Sequence, residues 1–116
     1  MLKNKDEIVS EAFGLWVSAL FSNIAGFNPG MSFFEQKEEF FLLIGDLLEK
    51  GRVRFLVPNE FPSQGVDFWE SSPKKIVEYL RSKFPRNAVS ESDLSDYFYE
   101  IPPILWVDEE GRLHGS

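Results

Sequence analysis

Apolar residues recur at helical spacing through the first part of the chain. Ile8, Ala12, Leu15 or Trp16, Ala19 or Leu20, and Ile24 fall three or four residues apart, which predicts one helix over residues 5–25. Val9, Phe13, Val17 and Phe21 widen its apolar arc, so this helix is expected at the centre of the core. Asn28, Pro29 and Gly30 then mark a turn. The next helix is expected to start at Ser32, whose hydroxyl and the Glu35 carboxylate fit a capping box. Phe33, Phe40, Phe41, Ile44, Leu47 and Leu48 form its buried stripe, and Lys50–Gly51 ends it with a glycine fit for a left-handed cap.

The period then changes to two. In RVRFLV (52–57), Val53, Phe55 and Val57 alternate with Arg52, Arg54 and Leu56, which predicts a strand stopped by Pro58. A loop, NEFPSQGVDFWESS, leads to a third helix capped by Ser72 with Pro73 in its first turn. Ile76, Val77, Leu80 and Phe84 are its apolar face, and Pro85 is expected to end it. Ser90 and Asp93 predict a capped fourth helix burying Leu94, Tyr97 or Phe98, and Ile101. Pro102 and Pro103 release the chain into a strand, ILWV, after which Asp108 to Gly111 turns it and RLH returns as a hairpin arm. The order of elements predicts an α+β fold: one mostly helical domain over residues 1–116 with a small β-sheet at one side. The direction in which the two main strands pair is open.

Composition narrows the function. At 116 residues, with 43% hydrophobic content and 12 Phe, the chain can fill one core and has little material for a second. It has no Cys, which excludes disulfides and thiolate metal sites and fits a reducing cytoplasm. Residues 12–34 are uncharged, but Ser18, Ser22, Asn23, Asn28 and Pro29 interrupt them, and the apolar run is too short for a bilayer core of ~30 Å. Acids interrupt the approach to that run, unlike a secretion signal, so a soluble cytoplasmic protein is expected. The net charge of −7 disfavours nucleic acid and anionic membranes as partners and favours basic ones.

No catalytic chemistry is expected. His114 is the single histidine, near the end of the chain, where solvent exposure is the simpler expectation. There is no phosphate-binding glycine loop, so no cofactor is expected. DEEG (108–111) lacks the alternating ligands of a calcium loop and fits a hairpin turn, so no metal is expected either. No acid–base pair of carboxylates can be singled out.

What remains is surface charge. Residues 91–110 hold seven acids and no Lys or Arg, a window that equals the net charge of the whole chain. Asp93, Asp96 and Glu100 would form one stripe on the fourth helix, and Asp108, Glu109 and Glu110 charge the following turn. Tyr97, Tyr99 and Trp106 stand among them, and exposed aromatics beside charge are a common make-up of binding hot spots. Asp67, Trp69 and Glu70 form a second acid–aromatic group. A binding patch and a merely solvated face are equally open at this point.

Ser32, Phe33, Glu35, Gln36, Lys37, Glu38, Phe40, Phe41, the leucine pair 47–48, Gly51 and Arg52, behind a Trp-containing first helix, resemble a family of short bacterial proteins of unknown function. WVDEEGRL resembles that family's C-terminal strand and turn; the middle of the chain shows little likeness. Some members are associated with contact-dependent or polymorphic toxin loci as immunity proteins. The resemblance therefore implies an immunity protein whose acidic surface meets a cognate toxin domain, often a basic nuclease; it supplies no catalytic residues. The alternative is a housekeeping or regulatory scaffold that forms a homodimer through Phe13, Trp16 or Phe21 on the first helix.

Overall fold

Ser32 and Ser72 cap the starts of two helices with their side chains, and the other α-helices begin without a side-chain cap. The structure, a computed structural model, describes residues 2–61 and 65–115; residues 62–64 of the expected loop lie outside these. Five α-helices occur among the described residues: α1 (Lys5–Ala12), α2 (Val17–Phe27), α3 (Phe33–Glu49), α4 (Pro73–Ser82) and α5 (Ser95–Glu100). Three strands, β1 (Val53–Phe55), β2 (Ile104–Val107) and β3 (Leu113–His114), make a small antiparallel sheet in the order β1-β2-β3. The fold is α+β and mostly helical.

The expected single helix over 5–25 is two helices. Gly14 adopts φ +79°, a left-handed conformation that ends α1, and Trp16 is extended before α2 begins. The indole N–H of Trp106 on β2 donates to the Leu15 carbonyl at 2.9 Å, satisfying a backbone group that the break frees. The wide apolar arc now has its reason: α1 turns Ile8, Val9 and Ala12 inward, and α2 turns Leu20, Phe21 and Ile24 inward from a different direction.

α3 is the spine. Ser32 and Glu35 form the full capping box, with 3.1 Å bonds in both directions. At the far end Gly51 (φ +70°) donates to Leu48 and Arg52 donates to Leu47, the paired bonds of a Schellman motif. Phe40, Phe41, Leu43, Ile44, Leu47 and Leu48 enter one core together with Val53, Phe55, Ile104 and Trp106 from the sheet. The strands pair Val53 with Trp106 and Phe55 with Ile104, so the buried positions of β1 and β2 share the inner face. β1 is shorter than the predicted strand, and α4 ends at Ser82, before Pro85.

The predicted fourth helix is composite. The Asp93 carboxylate accepts from the Ser90 N–H as a capping box requires, while the Asp93 N–H goes to the Ser90 backbone carbonyl; residues Glu91–Leu94 are a 3₁₀ turn, and only Ser95–Glu100 is α-helical. No helix among the described residues is long and apolar enough to cross a membrane.

Candidate protein-binding face

The acids of residues 91–110 divide into two groups. Glu91 accepts from Ser22 Oγ (2.6 Å) and Gln36 Nε2 (2.9 Å), tying the 3₁₀ turn to α2 and α3. Gln36 is itself buried, and its amide also donates to the Phe21 carbonyl at 3.0 Å. Asp93 is turned back on its own backbone, accepting from the N–H groups of Val89 and Ser90. It is therefore a cap, and the expected three-acid stripe is reduced to Asp96 and Glu100. These two are exposed, four residues apart on α5, and without an ion-pair partner among the described residues.

Asp108 also serves the fold. Its side chain is 19% exposed and accepts from the backbone N–H of Glu110 (2.9 Å) and Arg112 (2.8 Å), the Arg112 guanidinium (3.2 Å) and the His114 ring (2.8 Å). These bonds, the one to His114 foremost, hold its carboxyl well below the usual carboxylate range. His114 is thus engaged rather than loose, its ring also lying 5.7 Å from that of Phe13. Glu110 pairs with Arg112 at 3.1 Å, while Glu109 is exposed and has no ion-pair partner among the described residues.

The aromatics separate just as clearly. Tyr97 is 1% exposed and donates its hydroxyl to the Leu80 carbonyl at 2.7 Å, near the end of α4; burial raises its pKa well above the ordinary value. Trp106 is buried against Phe13. Tyr97, offered by the sequence both as a buried position and as a binding-patch residue, is a core residue and drops out of the patch, as does Trp106. Tyr99 is 74% exposed, and its ring meets Trp16 edge-on at 5.0 Å. Trp16 is 45% exposed and stands just after the Gly14 break, so the break that ends α1 also presents this ring.

Trp16 and Tyr99 form the rim of a groove of about 280 Å³. Phe98, Pro102 and Pro103 continue its walls, and buried Val17, Ile101 and Ile104 line its base. Exposed Asp96 lies three residues from Tyr99 on α5, so both project from the same side of that helix. Sequence reasoning placed Tyr99 among the acids but not opposite Trp16, because nothing local relates positions 16 and 99.

The second expected group is looser. Asp67 and Glu70 are exposed, whereas Trp69 is partly buried, with its ring edge-on to Tyr79 at 5.3 Å and its backbone N–H on the Phe55 carbonyl at 2.7 Å. Tyr79 donates to Glu60, which also pairs with Lys83 at 3.3 Å; burial and that carboxylate push the phenol up to about 12. Trp69 and Tyr79 thus fasten the loop to α4. Among the described residues no cluster of three or more acids or histidines is placed to hold a metal ion.

No protein-family model matches the chain, and no curated protein does. Among solved structures it resembles an uncharacterized protein conserved in bacteria, from Neisseria meningitidis, with a TM-score of 0.68 and 24% identity. The match covers 95% of this chain and 84% of that one, and at such identity it is a likeness of fold.

Proposed function

We propose that this protein is an immunity-type inhibitor that binds and neutralises a cognate bacterial toxin domain with a basic surface, such as a nuclease domain. The observation that carries this function is the pair of exposed acids Asp96 and Glu100, unpaired among the described residues and set on the helix that carries the exposed ring of Tyr99, which meets Trp16. Acids that neither cap a helix nor pair with a cation contribute little to folding and much to the field a basic partner meets. The family resemblance of residues 15–55 and of WVDEEGRL supplies the partner class. Co-expression with the product of the adjacent upstream gene, tested as the toxin, is expected to restore growth, and the two proteins are expected to co-purify. Failure of both, with each protein folded and expressed, rejects the function.

A second reading has one observation in its favour. Phe13, Leu15 and Trp16 are all partly exposed around the Gly14 break, an apolar run that suits a homodimer scaffold. Phe21 is fully buried and takes no part in such a contact. Sedimentation at several concentrations decides it: a tight dimer broken by Trp16→Ala supports the scaffold, and a concentration-independent monomer rejects it.

A further inference from the structure

The groove between Trp16 and Tyr99 is lined by uncharged side chains. One wall comes from residues 12–34, which contain no charged side chain, and the other from residues 87–111, which contain no Lys or Arg. All lining side chains are apolar or aromatic, and the nearest charges on the helix that carries Tyr99 are Asp96 and Glu100. We propose that this groove is the docking site for one apolar side chain, of leucine or aromatic size, presented by a Lys- or Arg-flanked segment of the partner protein. The identity of the partner rests on the inhibitor function; the chemistry of the segment rests on the groove.

Solvation, charge and symmetry select this occupant. First, an anionic metabolite would be desolvated against apolar walls with no cation to receive it. Second, a cationic flank fits both the acids and the rings: Asp96 and Glu100 attract Lys or Arg, and the exposed face of Tyr99 can carry a cation–π contact. Third, a second copy of this chain is disfavoured. A two-fold interface centred on the groove brings together two copies of the same walls, neither of which holds a Lys or Arg to meet Asp96 and Glu100.

The test titrates the full chain with three pentapeptides, Lys-Lys-Leu-Lys-Lys, Lys-Lys-Ala-Lys-Lys and Glu-Glu-Leu-Glu-Glu, followed by two-dimensional NMR. The first peptide is expected to shift the Trp16 indole N–H and the amides of Tyr99 and Ile101. The alanine peptide should bind about tenfold more weakly, as should the leucine peptide to the Tyr99→Ala protein, the loss expected of a central anchor. The acidic peptide should leave the groove signals in place. Equal binding of the leucine and alanine peptides, or shifts confined to the acids, overturns the proposal in favour of charge alone. Groove shifts that grow with protein concentration without peptide overturn it in favour of a second copy. A parallel growth-rescue assay separates this result from the inhibitor function. Rescue by wild type and Tyr99→Ala alike rejects the groove and leaves the inhibitor standing. Leucine-peptide binding without rescue of any neighbouring toxin upholds the groove and rejects the inhibitor.

Discussion

Asp108 receives two backbone N–H groups, a guanidinium and an imidazole, and this commits it to its own turn. Because its native pKa lies below the unfolded value of about 3.9, its contribution to the β2–β3 hairpin is fully present above that pH. The contribution is lost as pH falls through the native value. Amide exchange of Asp108, Gly111 and Arg112 in the wild type should therefore stay protected down to about pH 4, once corrected for the intrinsic pH dependence of exchange, and lose protection in stronger acid. Asp108→Asn should lower that protection at neutral pH and remove the acid-dependent step; the same step in both proteins would place its origin elsewhere. The capping role of Asp93 was legible in the sequence, but so was a role in a surface stripe, and one carboxylate turned onto the N–H groups of Val89 and Ser90 cannot serve both. Tyr97 was ambiguous for a similar reason. Periodicity allowed either Tyr97 or Phe98 inward, and the carbonyl that decides it, on Leu80, belongs to another helix.

Elements whose ends are made by neighbours in sequence were readable; those ended by distant groups were not. Both ends of α3 follow from residues within a turn of each other: Ser32 with Glu35, and Gly51 with Leu47 and Leu48. The division between α1 and α2 instead combines an isolated glycine, which helices often tolerate, with an indole 91 residues away. Gly14 and Gly26 should consequently respond to alanine with opposite signs. At Gly14, φ +79° imposes the left-handed conformation on an L side chain, and Gly14→Ala should cost about 1–2 kcal/mol. Gly26 lies within α2 with open space around its Cα, so Gly26→Ala should stabilise by about 0.5–1 kcal/mol. Urea midpoints with unchanged slopes would report both. A neutral Gly14→Ala would mean that the chain can run through this position as one helix.

At the scale of the molecule, the residues of the family resemblance serve folding: Ser32 and Glu35 cap α3, Gln36 joins α2 and α3 to the 3₁₀ turn, and Phe40 and Phe41 fill the core. The charge asymmetry was legible as a count, but the groove was not, since it exists only where the Gly14 break brings Trp16 against Tyr99. The two features should act on different rate constants. Long-range attraction sets how often a basic partner arrives in a productive orientation, while a buried anchor sets how long it stays. Asp96 and Glu100 are exposed and take part in no ion pair among the described residues, so Asp96→Lys with Glu100→Lys should leave the melting temperature within a few degrees of wild type. On the proposed function, association with a basic toxin domain at low salt should slow by about tenfold or more, and the dependence of the association rate on ionic strength should flatten. Tyr99→Ala should do the reverse, speeding dissociation while leaving the salt dependence of association alone. Association kinetics on an immobilised toxin domain at about 20 mM and 300 mM salt resolve the two, because screening at the higher concentration shortens the Debye length to well under 10 Å. If the double reversal leaves association unchanged at both salts, this acidic face does not meet the partner. The exposed acids Asp67 and Glu70, beside Trp69, would then be the surface to reverse next.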